Sequence, residues 1–179
     1  MRILITTVAC LFFFTSTFGQ SPKKITTYLL TQYNKTVHDR TAGNNPWGIG
    51  LGVQAFYNNS TRFKPTIEIT GDIYLEDDKV LRLDPDGSIP NSYNDVRGMI
   101  NVFVGSSFQV TKGTYLSFLA GPGFISGQTL LGIKPSFGFY LSESKKWTGK
   151  ISYINIFDRD KITKQDFGSI SFAIGLRLF

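Results

Sequence analysis

The end of this chain constrains its fold more than any other stretch. Ile170, Phe172, Ile174, Leu176 and Leu178 form one face, and Ser169, Ser171, Ala173, Gly175 and Arg177 the other. An unbroken period of two, greasy on one side and small or polar on the other, specifies a β-strand. The run stops on an aromatic, Phe179.

The same period recurs upstream. Trp47 to Tyr57 sets Trp47, Ile49, Leu51, Val53, Ala55 and Tyr57 against Gly48, Gly50, Gly52 and Gln54. Phe63 to Leu75 is sharper still: Pro65, Ile67, Ile69, Gly71 and Ile73 alternate with Lys64, Thr66, Glu68, Thr70, Asp72 and Tyr74. Further alternating runs cover Gly98 to Gln109, Tyr115 to Phe124, Leu130 to Leu141 and Trp147 to Phe157. Lys24 to Tyr33 fits helical and strand spacing equally.

Connections tip that segment toward strand without closing the helical alternative. Asn58–Arg62, Val110–Thr114 and Ser142–Lys146 are short, whereas 34–46, 76–97 and 158–166 are longer; Ser126–Gln128 is a tight exception. Short turns at one end and long loops at the other define an up-and-down barrel, whose strand number is even in bacterial outer membranes. Seven strands become eight only if Lys24 to Tyr33 is a strand. The predicted fold is therefore all-β, a closed antiparallel up-and-down transmembrane barrel of eight strands. Pro122 and Pro135 fall within strands, where the missing N–H predicts a bulge.

Met1 to Gly19 carries Arg2, an apolar run from Ile3 to Phe14, and small residues at Thr17 and Gly19. This is a secretory signal peptide, leaving 20–179 as a single domain. The net charge of +6 includes Arg2, so removing that one residue leaves +5. Cys10, the only cysteine, also leaves with the signal, which excludes disulfides and thiolate chemistry from the remainder. Basic residues never run longer than the pairs Lys23-Lys24 and Lys145-Lys146, so nucleic acid is not an expected partner. Mean hydropathy near zero suits a membrane barrel, because half of each strand faces a polar interior.

Alternation alone does not say which face looks outward. Glu68, Asp72, Lys134, Lys150 and Arg177 all share a face with the glycines and serines. A glycine-thinned, charged interior suits a small membrane barrel. Aromatics at the strand ends, Trp47, Tyr57, Phe63, Tyr115, Tyr140, Trp147, Phe157, Phe167 and Phe179, suit an interfacial girdle. The rival is a soluble periplasmic, lipocalin-like barrel around an apolar ligand, which requires Ile67, Ile69 and Ile73 to point inward.

The signal peptide, the strand–turn rhythm, Gly121-Pro122-Gly123, the Lys134 to Tyr140 stretch and the terminal Phe179 resemble the small outer-membrane β-barrel proteins of Gram-negative bacteria. That resemblance implies an outer-membrane location and insertion by the barrel assembly machinery, with Phe179 as the assembly signal. In this chain, however, Arg177, Gly175 and Ala173 stand in phase with the final aromatic, where the family keeps apolar residues.

No catalytic, cofactor or metal residue is predicted. His38 is the only histidine and lies beside Asp39, in a stretch expected to be loop. An outer-membrane lipid A-modifying enzyme would need it paired with a serine in fixed strand context. Glu68 and Asp72 lie four apart on one strand, ~13 Å along it, beyond the spacing of glycosidase carboxylates. The expectation is an interior ion-pair network of Glu68, Asp72, Lys134, Lys150 and Arg177, because buried charges persist only when paired. Surface partners, if any, would meet loops 34–46, 76–97 and 158–166. Of these, 76–97 has six acids against three bases.

Overall fold

A computed structural model describes residues 24–38, 47–74, 98–125, 127–158 and 166–179. Eight antiparallel strands close in sequence order: β1 (Ile25–His38), β2 (Trp47–Tyr57), β3 (Phe63–Tyr74), β4 (Gly98–Gln109), β5 (Thr114–Ile125), β6 (Gln128–Tyr140), β7 (Trp147–Ile156) and β8 (Phe167–Arg177). The last strand pairs with the first, Arg177 opposite Tyr28 through Ser169 opposite Thr36, so the ladder has no free edge. The expected signal peptide and most of the long connections lie outside the described residues.

The ambiguous segment is a strand, and a longer one than expected. It runs on through Asn34 and Thr36, both buried, to His38, with a register shift between Thr36 and His38. The reason is visible in hindsight: Gln32, Asn34 and Thr36 continue the inward phase of Tyr28 and Leu30.

Which face looks outward is decided on β3. Ile67, Ile69 and Ile73 are 42%, 47% and 60% exposed, while Glu68, Thr70 and Asp72 are buried. Leu51, Phe118, Leu131 and Ile174 are likewise exposed on their own strands. An apolar exterior wrapped round buried carboxylates is the inverse of a soluble barrel, so the lipocalin-like arrangement is excluded. A wall of this kind requires a solvent as apolar as itself.

The glycines of β2 make room, though not for the opposite wall. Gly48, Gly50 and Gly52 face Tyr74, Asp72 and Thr70 across the β2–β3 ladder. A Cβ on Gly48 would stand 2.7 Å from the Tyr74 ring, and one on Gly52 2.7 Å from the Thr70 methyl. Each glycine thus lets its β3 neighbour lie flat over β2. The β5–β6 connection is equally specific: Gly127 adopts φ 76°, a left-handed conformation that glycine takes without a Cβ penalty.

Neither Pro122 nor Pro135 makes a bulge. The β4–β5 pairing passes from Asn101↔Gly123 to Val104↔Ala120 in constant register, omitting the rungs beside Pro122. The β6–β7 pairing passes from Ile133↔Asn155 to Ser136↔Ser152, omitting those beside Pro135. On their other sides both prolines stay paired, Pro122 with Leu131 and Pro135 with Phe118. The cost of a missing N–H is confined to one ladder at each site, and both rings sit on the outer wall, Pro122 exposed and Pro135 half-buried.

Candidate functional site

The inward residues fall into three layers. Nearest the short turns, Tyr28, Leu30, Phe56 and Tyr115 form an apolar plug with Tyr140 against it. Tyr28 and Tyr115 each meet Phe56 edge to face, at centroid distances of 5.9 and 5.4 Å. The Tyr28 hydroxyl donates to the carbonyl of Lys145 at 2.8 Å, tying the plug to the β6–β7 turn. Nearest the loops, Tyr74, Met99, Phe103, Leu119, Ile125, Ile154, Ile156 and Phe167 form a second plug. The interior is therefore not polar throughout. Tyr115, Tyr140 and Phe167, expected in the outer girdle, belong to or pack against these plugs because they share the inward phase of their strands.

Between the plugs lie the charges. Glu68 on β3 accepts from Lys134 of β6 through Oε1 at 2.6 Å and from Lys150 of β7 through Oε2, all three side chains fully buried. Two ammoniums on one carboxylate would leave a net positive charge. Asp72, four residues along β3, is the nearby second acid and balances the sum. Among the described residues it makes no ion pair. Its Oδ1 accepts from the Asn34 amide at 2.6 Å and from the Gln32 amide, both on β1. Gly50 lies between them in register, opposite Gln32 on one side and Asp72 on the other. With no side chain at Gly50, the carboxylate reaches across β2. Hydrogen bonds to a buried anion of this kind are strong.

Of the five residues expected to form one network, the structure brings together three, Glu68, Lys134 and Lys150. Asp72 sits apart with amides, and Arg177 is a correction: it is exposed at the turn end. Arg177 keeps the inward phase of β8, but Lys150 pairs with Ala173 four residues earlier. It stands ~13 Å along the strand from the Lys150 level, past the rim. The amides Gln32 and Asn34 were not singled out, although their even numbers in an alternating segment were the available signal.

A chain of hydroxyls completes the layer. Thr66, Ser107 and Ser117 link at 2.8 and 2.7 Å across β3, β4 and β5. These groups satisfy one another and rigidify the interior; none forms a nucleophile and base pair. His38 pairs through its backbone with Gly168 at the loop end of β1. Among the described residues no group of three or more His, Cys, Asp or Glu side chains could hold a metal ion.

This closed eight-strand ladder, with a lipid-compatible wall and a filled interior, defines the fold of a small outer-membrane barrel. Solved structures share it. The outer-membrane protein Ail of Yersinia pestis, determined in a phospholipid nanodisc, is similar with a TM-score of 0.55 and 14% identity, covering 86% of this chain and 99% of its own. A de novo designed transmembrane β-barrel is similar with a TM-score of 0.50 and 10% identity, covering 90% and 100%. Neisserial surface protein A follows at 0.48 and 11%, covering 88% and 99%. At these identities the likeness is one of fold. No protein-family model matches the sequence, and no curated protein matches it significantly.

Proposed function

We propose that this chain is exported, enters the outer membrane of a Gram-negative cell as a non-catalytic barrel, and serves a structural or surface-interaction role through the segments 34–46, 76–97 and 158–166. The single observation that carries this is the inverted barrel: isoleucines outward on β3, carboxylates inward. An interior filled by two apolar plugs and a charge-balanced layer favours a rigid post over a channel. Insertion by the barrel assembly machinery, with Phe179 as its signal, belongs to the same proposal. The main chain beside that signal is held in the sheet, with Leu178 N–H donating to the Thr27 carbonyl at 2.8 Å and Thr27 N–H to that of Phe179 at 3.1 Å.

The test is the mobility of the mature chain, refolded in detergent, on a gel with and without boiling. A faster unboiled band is expected, since a closed ladder resists the denaturing detergent. A single band in both lanes, from protein monodisperse in plain buffer, would refute the membrane assignment.

A further inference from the structure

We propose that the outer wall over β6, β7, β8 and β1 seats one anionic, phosphate-bearing lipid of the surrounding bilayer, its acyl chain in an apolar groove and its headgroup at Lys35. The proposal rests on the membrane assignment above and adds a specific site to it.

The groove follows from Pro135. Where the β6–β7 ladder omits its rungs, the outer wall opens into a groove of about 450 Å³ lined by Leu116, Pro135, Phe137, Ile151, Tyr153 and Ile170. All six are outward residues of their strands, and the lining is almost wholly apolar. The register then gives the groove a direction. Phe118 pairs with Pro135, Tyr153 with Ile170, and Ile170 with Lys35, which in turn pairs with Trp47. Phe118 and Pro135 lie toward the turn ends of β5 and β6, whereas Lys35 and Trp47 lie at the loop ends of β1 and β2. The row therefore climbs the wall, and Lys35 stands at its top.

Lys35 is the one charged side chain on the outward faces of the described strands. Its Nζ lies 4.8 Å over the Trp47 ring, and that ring stacks on Tyr33 at 5.2 Å and 22°. The aromatic pair is a platform at headgroup depth that holds the ammonium against the wall at the head of the groove. A cation at one end of an apolar trough matches a molecule with an anion at one end of a hydrocarbon chain. A protein segment or a second copy would have to bring its own anion to this depth.

The test uses tryptophan quenching. Trp47 and Trp147 are the only two tryptophans, so Trp147→Phe leaves Trp47 as the reporter beside Lys35. The full barrel is refolded into phosphatidylcholine vesicles containing graded phosphatidylglycerol, with the bromine label on the chains of one lipid or the other. Trp47 is expected to favour the anionic lipid about fivefold, the size set by one lysine near an anionic surface. The preference should fall to about one in Lys35→Gln and drop in Ile170→Phe, which narrows the groove.

An unchanged preference in Lys35→Gln overturns the proposal. Loss in Lys35→Gln with full preference in Ile170→Phe removes the groove as the chain's seat and overturns it equally. Quenching by both lipids that disappears as protein is crowded into the vesicle would put a second copy there instead. Trp47 unquenched by either brominated lipid at any density would mean that the barrel is not in the bilayer, a failure of the membrane assignment itself.

Discussion

Glu68→Gln is expected to destabilise the barrel by about 3–5 kcal/mol, the cost of breaking a buried pair from one side. The substitution keeps the shape of the side chain. What it removes is the single anion shared by Lys134 and Lys150. Two ammoniums then remain buried side by side, with Asp72 the nearby remaining anion and already turned toward the amides of β1. Equilibrium unfolding in urea, with the barrel in thin-chain vesicles, measures the loss directly. Replacing all three members by apolar residues of similar size, together with Asp72→Asn so that no buried anion is left unbalanced, should recover most of it, because the desolvation of the charges disappears with them. If Glu68→Gln proved neutral, the charge layer would be hydrated and loosely held, contrary to its complete burial.

The second large effect belongs to the opposite face. Ile69 is exposed halfway along β3, within the band where the wall is most apolar. Ile69→Arg should cost about 2–4 kcal/mol in a bilayer, as a charge placed at the hydrocarbon midplane does. On a water-facing surface the same change would stay within about 0.5 kcal/mol. The same vesicle titration distinguishes the two. The pair of substitutions is a diagnostic of inversion: removing a charge from within harms the barrel, and adding one outside harms it too.

Much of this was legible in the sequence because a period of two is hard to disguise. Strand number, order and the facing of β2, β3 and β8 all follow from alternation plus connection length. What escapes is depth along the barrel axis, and phase at strand ends, where position alone suggests a girdle. Phase puts Arg177 on the inward-pointing side of β8, but only the stagger between β7 and β8 reveals that it lies beyond the rim and is exposed. Tyr115 and Phe167 sit near strand ends, as girdle residues do, and only their phase relative to Ser117 and Ser169 marks them as plugs.

Asp72 was expected among cations because its charge was the obvious property. Its partners are neutral amides two strands away, reachable only because Gly50 has no side chain. Pro122 and Pro135 depart from the expected bulge for a related reason. A proline disrupts one of a strand's two ladders, and pairing on the other side holds the register constant. The inward run of Gln32, Asn34 and Thr36 was obscured by turn-forming residues that, in a barrel, fill the interior instead.

The central claim is that the isoleucine face meets hydrocarbon. Cys10 lies in the expected signal, so a mature chain carrying Ile69→Cys has one thiol for a fluorophore. Refolded into vesicles, that label should be quenched by nitroxides on lipid acyl chains and shielded from a water-soluble quencher. Free access to the aqueous quencher, with no effect of the lipid nitroxide, would contradict the account.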